Sequence, residues 1–255
     1  MNDLNDLNPS APDPGPALAF AGVSKSYGAT PALERLTLEV RRGETFGLVG
    51  GNGAGKTTLM KCLLDFCETD AGEIRLFGVS HRSTSSRREL AFLPERFNPP
   101  YYLSGRDFLR YMAKMHGTAY DEARVAQTFE RLDLQLSALT RPARTYSKGM
   151  TQKLGLAACL LSGKPLQVLD EPTSGLDPKA RALLKRELRA VRDAGGTVFF
   201  TSHALADVQE ICDRMAVLHD GRLRFAGAPA ELSAKYGGVD LESAFLECIS
   251  EAVPA

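Results

Sequence analysis

The chain has no excess charge of either sign. Lys plus Arg number 31 and Asp plus Glu number 31 in 255 residues, which provides no general surface for a polyanion and argues against nucleic acid as a partner. No apolar run approaches the roughly 20 residues needed to cross a bilayer, so the sequence predicts a chain that is soluble by itself. Residues 1–16, MNDLNDLNPSAPDPGP, lack both a basic start and an apolar stretch, which excludes a secretory signal. Their Pro, Asn, Asp and Ser content predicts a disordered tail. Cysteine is sparse and odd in number: Cys62, Cys67, Cys159, Cys212 and Cys248 are scattered through otherwise apolar helical segments. That distribution argues against a disulfide framework and for buried thiols in a reducing, cytoplasmic compartment. Cys62 and Cys67 have no second pair downstream and the four histidines do not cluster, so nothing points to zinc.

The length suits one large domain, or one domain with a lobe, around a buried core. Leu18–Val23 and Leu33–Val40 alternate on either side of Tyr27-Gly28 and predict antiparallel strands, with another at Glu73–Phe77. Glu44–Val49 is a short apolar-rich run of strand type, after which Leu59, Met60, Leu63, Leu64 and Phe66 recur at helical spacing. From about residue 95 to 160 the pattern turns helical. Ser104 caps one helix, with Phe108, Leu109, Met112 and Met115 on its apolar face and Gly117 at its end. Val125, Phe129 and Leu132 mark a second helix, and Met150, Leu154, Ala157, Ala158 and Leu161 a third.

Strands then alternate with helices again. Leu166–Leu169 is a strand, Asp177-Pro178 opens a helix that Gly195-Gly196 closes, and Thr197–Thr201 is a strand of buried type. Asp220-Gly221, between Met215–Leu218 and Arg222–Phe225, signals a two-residue hairpin. The pattern reads as α/β, with a mostly parallel sheet, an antiparallel edge sheet and a helical lobe. In residues 227–255, Ala230, Leu232, Tyr236, Leu241, Phe245, Leu246 and Ile249 outline an amphipathic tail that either packs back or aids dimerisation.

The chemistry is concentrated in two places. Gly50-Gly51-Asn52-Gly53-Ala54-Gly55-Lys56-Thr57-Thr58 fits the phosphate-loop pattern of Gly, four variable residues, then Gly-Lys-Thr. Its glycines let backbone N–H groups curl around an anion, and the strand before and helix after it aim a helix dipole at phosphate. Lys56 supplies a charge for the β- and γ-phosphates, and the Thr57 hydroxyl is placed for Mg²⁺. The second place is Asp170-Glu171, at the carboxyl end of the Leu166–Leu169 strand, where ligands collect in open α/β sheets. Asp170 would hold Mg²⁺ opposite Thr57, and Glu171 would polarise a water for in-line attack. The competing reading is an exposed strand-end pair that caps the next turn.

The phosphate loop, Tyr146-Ser147-Lys148-Gly149-Met150-Thr151-Gln152-Lys153, Asp170-Glu171, Ser174-Gly175-Leu176-Asp177 and His203, in this order, resemble the ATP-binding cassette (ABC) family over about residues 17–230. The resemblance implies a RecA-like P-loop NTPase core with an N-terminal antiparallel β subdomain at 17–94 and 161–230. It also implies an inserted α-helical subdomain at 95–160 carrying the signature motif, and a short C-terminal helical tail at 231–255. In that family two cassettes hold ATP between them head to tail, so Ser147 and Gly149 are expected to contact the γ-phosphate held by the other subunit's Lys56 loop. A Ser-capped helix start is the plainer reading of the same stretch. Tyr146, Lys148 and Met150 depart from the family's commonest Leu-Ser-Gly-Gly-Gln, and Lys148 adds a charge near the expected phosphate. The variant is similar to the exporter-type subgroup.

The resemblance further implies that Tyr27 stacks on adenine, that His203 contacts the γ-phosphate, and that Asp177 lies in the loop crossing to the partner. Read alone, Tyr27 suits packing as well as stacking, and a strand-end His suits a structural role. Glu95 stands where the family usually has Gln, a position associated with Mg²⁺ or water. Beyond it, Phe97, Pro99, Pro100, Tyr101 and Tyr102 mark either lobe core or the place where a membrane-spanning partner docks. The expectation is an Mg-dependent ATPase subunit, dimerising around two Mg·ATP. It would sit on the inner face of the cell membrane through a separate transmembrane permease, powering export. The rivals are a non-transport ABC ATPase acting on ribosomes or nucleic acid, against which the balanced charge of a single cassette speaks, and a regulatory nucleotide binder, against which Asp170-Glu171 speaks.

Overall fold

In chain order, a computed structural model describing residues 15–237 and 240–251 contains β1 (Leu18–Tyr27), β2 (Thr30–Val40), β3 (Thr45–Val49), α1 (Lys56–Leu63), β4 (Ala71–Leu76), β5 (Val79–Ser80), α2 (Thr84–Arg87) and β6 (Leu90–Leu93). These are followed by α3 (Gly105–His116), α4 (Glu122–Arg131), α5 (Lys148–Leu161), β7 (Leu166–Leu169), α6 (Pro178–Asp193), β8 (Thr197–Ser202) and α7 (Leu205–Ile211). The described chain closes with β9 (Arg214–His219), β10 (Arg222–Gly227), α8 (Pro229–Tyr236) and α9 (Leu241–Ser250). Of the tail expected at 1–16, residues 1–14 lie outside the described residues.

Strands β10-β9-β3-β8-β7-β6 form one sheet, in which only the β9–β10 hairpin is antiparallel. β3, β7 and β8 are buried along their whole length, as strands covered on both faces must be. Their alternation feeds two cores. Phe46, Leu48, Val168 and Phe199 face the four-stranded antiparallel sheet β2-β1-β4-β5, while Val49, Leu169 and Phe200 join the helices. In β1 the buried set runs Leu18, Phe20, Val23 because the register with β2 slips between Phe20 and Val23. The Asp220-Gly221 turn has positive φ at both residues, 48° and 73°, as a tight hairpin requires.

The helical segment between β6 and β7 starts from Ser104, whose hydroxyl accepts from Asp107 N–H, and α3 ends at Gly117 with φ 71°. Phe108, Leu109, Val125, Phe129 and Leu154 form its core.

Several expectations fail on packing. Met115, placed with the apolar face of α3, is 65% exposed, because that helix buries chiefly Phe108 and Leu109. α1 stops at Leu63, so Phe66 lies beyond it and is exposed, and Cys67 lies in the following loop rather than in a helix. The aromatic stretch divides: the Phe97 ring meets Phe108 at 5.5 Å, whereas Tyr101 and Tyr102 are exposed. The C-terminal tail packs back. Leu232 and Leu241 are buried in the core shared with α7 and β9, while Ala230 and Leu246 face outward. All five cysteines are free.

Candidate active site

The carboxyl ends of β3, β7 and β8 lie side by side, and each delivers one part of the site. β3 runs into the phosphate loop. Gly50 and Gly55 are required there by close approach: a Cβ at Gly50 would lie 2.4 Å from the Leu218 carbonyl oxygen, and one at Gly55 2.6 Å from that of Ala32. Gly55, at φ 109°, turns the chain into α1, whose first-turn amides point back along the loop. Gly51, Asn52, Gly53 and Thr57 are exposed, Thr58 is half-buried, and Ala54 is buried and donates its N–H to the Gly51 carbonyl.

Lys56 is buried, and its ammonium donates to the Gly50 and Gly51 carbonyls and stands 3.8 Å from Glu171 Oε1. Burial pushes its pKa down, opposed by the charges of Glu171, Asp170 and Glu95. The acidic neighbours thus offset part of the cost of burying the cation.

β7 ends at Asp170-Glu171, both 8% exposed. The exposed strand-end reading is thus overturned. Thr201, at the end of β8, ties the pair together: its hydroxyl donates to Asp170 Oδ1 at 2.6 Å and accepts the Glu171 N–H at 2.9 Å. Burial raises the Asp170 pKa, and the Glu95 charge adds to the rise, while the Thr201 hydrogen bond and Lys56 oppose it. Glu171 has φ 47°, a conformation costly for a residue with a side chain and one that collects at functional sites. Two residues past Thr201, His203 donates from Nδ1 to Glu171 Oε2 at 2.8 Å, with its backbone N–H 3.3 Å from the same oxygen. Its side chain is two-thirds exposed, so the ring reaches from a buried carboxylate toward solvent.

Glu95 is exposed beyond β6 and touches neither Lys56 nor Asp170 at hydrogen-bond distance, acting on both through its charge. Tyr27, at the end of β1, is half-exposed, and the Thr58 hydroxyl acts on its phenol, so the ring stands beside the start of α1.

Ser147, Lys148 and Gly149 form a separate group. The Ser147 hydroxyl caps α5 by accepting from Met150 N–H at 3.2 Å, and no hydrogen bond or ion pair joins this group to the phosphate loop among the described residues. Lys148 is exposed, and its stem lies across Gly175, where a Cβ would sit 2.6 Å from Lys148 Cε. Asp177 accepts from Ala180 N–H and caps α6, two residues from that contact. Signature and Ser174–Asp177 segments therefore lie side by side.

Sequence reasoning missed Thr201. Its only signal is a hydroxyl late in a buried strand, two residues before His203; its partners lie 30 and 31 residues away in sequence.

The residues suit a divalent cation of one kind. No cluster of three or more His, Cys, Asp or Glu exists among the described residues, so a metal could not be caged by the protein alone. The Asp170 carboxylate, with Oδ1 oriented by Thr201, and the Thr57 hydroxyl are hard oxygen donors of the sort that share Mg²⁺ with phosphate oxygens.

Comparison with known proteins matches residues 33–174 to the family described as ABC transporter. An uncharacterised ABC transporter ATP-binding protein of Synechocystis is 37% identical over 82% of this chain, which spans 60% of that relative's length. The Nod factor export ATP-binding protein I of Paraburkholderia xenovorans is 35% identical over 91% of this chain and 77% of its own. A solved structure of an ATP-binding subunit of an ABC transporter superposes with TM-score 0.84 at 30% identity, covering 91% of this chain and 99% of that one.

Proposed function

The chain belongs to the ABC transporter family, and we propose that it is a Mg-dependent ATPase subunit that powers a separate transmembrane permease. The observation that carries the proposal is the meeting of Lys56, Asp170, Glu171 and His203 where three parallel strands end. In this reading the loop amides and Lys56 hold the β- and γ-phosphates, and Tyr27 stacks on adenine. Thr57 and Asp170 would hold Mg²⁺, which would screen phosphate charge, and the Glu95 charge acts on Asp170. Glu171 accepts a proton from the attacking water, and His203, bonded to the other carboxylate oxygen, keeps it aimed.

Ser147, Lys148 and Gly149 serve the second copy. An uncovered α5 N-terminus, far in bonding terms from its own phosphate loop, suits a γ-phosphate presented by a partner. Two copies then close on two Mg·ATP, and loss of the γ-phosphate releases them, with Asp177 at the crossing. The exposed Tyr101 and Tyr102 suit a permease contact that places the protein on the cytoplasmic membrane face. Among the described residues no helix is long and apolar enough to cross a membrane. Similarity to a Nod factor export protein supports export as the direction.

Phosphate release from Mg·ATP by the purified chain tests the enzymatic part. Lys56→Ala should weaken ATP binding and abolish release; unchanged affinity would remove Lys56 from the phosphate site.

A further inference from the structure

Two sulfurs lie in contact behind the phosphate-loop helix. α1 ends in a Schellman turn: Phe66 N–H donates to the Lys61 carbonyl at 2.8 Å and Asp65 N–H to that of Cys62 at 3.1 Å. Asp65, rather than glycine, occupies the left-handed position at φ 60°. Cys67 N–H also reaches the Lys61 carbonyl, at 3.3 Å, which folds the next residue back over the helix end. The outcome is Cys62 Sγ and Cys67 Sγ 3.4 Å apart, the one pair of thiols in contact among the described residues. An S–S bond needs roughly 2 Å, so a shift of about 1.4 Å within the loop between α1 and β4 closes it.

The pair borders the assigned base platform. The Tyr27 hydroxyl stands 3.9 Å from Cys67 Sγ, and Lys25, paired with Asp70 at 2.8 Å, lies 5.8 Å from the Tyr27 ring centroid. Cys62 is fully buried, and burial pushes its thiol up to about 12; Cys67 is half-buried and is the sulfur an oxidant can meet.

We propose that Cys62 and Cys67 form an oxidation site that closes to an intramolecular disulfide under hydrogen peroxide and thereby weakens nucleotide binding at Tyr27. The effect on binding rests on the nucleotide reading above. The Cys67 thiol gives up its proton, the sulfur attacks one peroxide oxygen, the O–O bond breaks, and the departing hydroxide takes that proton and leaves as water, giving a sulfenic acid. The Cys62 sulfur then attacks the Cys67 sulfur and the S–O bond breaks. The hydroxide takes the Cys62 proton and departs as a second water. Two thiols lose two electrons and one peroxide becomes two waters. Closure draws Cys67 toward α1 and away from the Tyr27 hydroxyl, so the ring loses a neighbour that fixes its position.

The test treats the full chain with hydrogen peroxide, maps cross-linked peptides by mass spectrometry and measures Mg·ATP affinity by calorimetry before and after. The expected result is a Cys62–Cys67 link, with the loss of two hydrogens, and affinity lower by about tenfold, the scale of a disturbed base stack. Dithiothreitol should restore both. Cys67→Ser should neither link nor respond, and Cys62→Ala provides a second variant should the first fold poorly. A nucleotide-binding chain in which the two sulfurs stay unlinked, or link without a change in affinity, overturns the proposal. A reduced chain that fails to bind Mg·ATP instead overturns the nucleotide reading, and with it the coupling to Tyr27.

Discussion

At the scale of single residues, the site is held together by a threonine. Thr201 spends its donor on Asp170 and its acceptor on the Glu171 N–H, fixing the directions of two neighbouring carboxylates from the adjacent strand. Thr201→Val keeps the shape and deletes both bonds, leaving a buried amide and a buried carboxylate oxygen without partners. The expected loss is about 1–3 kcal/mol in stability, with a fall in phosphate release larger than any change in ATP affinity, measured by melting and steady-state kinetics. Asp170 makes the opposite stability prediction. Burial raises its folded pKa above the unfolded value, so what it adds to stability is complete below the unfolded pKa of about 3.9 and is lost as pH rises through the folded value. At neutral pH its charge is therefore a cost to the fold. Asp170→Asn should raise the melting temperature by roughly 2–4 °C, about 1 kcal/mol, while removing Mg-dependent hydrolysis; a lower melting temperature would contradict the assigned direction.

At the scale of elements, the proposal assigns recognition to helix N-termini, α1 for the chain's own nucleotide and α5 for a partner's. Ser147→Ala removes the α5 cap and should cost about 1 kcal/mol of stability. It should leave Mg·ATP affinity of dilute protein unchanged but cut turnover at concentrations where copies meet. An equal loss of affinity in dilute protein would place Ser147 at its own chain's loop.

The phosphate loop, Asp170-Glu171 and the Ser104, Ser147 and Asp177 caps were legible in sequence because each is a short-range pattern: a loop between strand and helix, two carboxylates at a strand end, a hydroxyl or carboxylate before an apolar helix. The outward turns of Met115, Phe66 and Leu246 were not, because helical spacing says which residues share a face and not what covers it. Thr201 was illegible for a related reason. Its role arises only when β8 pairs with β7, in a parallel register that places Phe200 beside Leu169 and so sets Thr201 next to the carboxylates. The burial of Asp170 and Glu171 likewise follows from sheet order rather than from their neighbours in sequence.

At the scale of the whole molecule, the phosphate-loop group and the Ser147 group lie apart in one chain, joined by no hydrogen bond or ion pair among the described residues. Lys56, Asp170, Glu171 and His203 converge at the carboxyl ends of β3, β7 and β8, while the Lys148 stem lies over Gly175 beside Ser147. A symmetric head-to-tail pair would complete both sites at once, each copy giving what the other lacks. The most direct measurement is sedimentation of Glu171→Gln, a change that keeps the shape of Glu171 and removes its basicity. The account predicts a dimer with Mg·ATP, a monomer with Mg·ADP, and phosphate release slower than the parent by on the order of 10². A monomer in both nucleotides, together with undiminished hydrolysis by the parent chain at dilutions where no dimer exists, would contradict it.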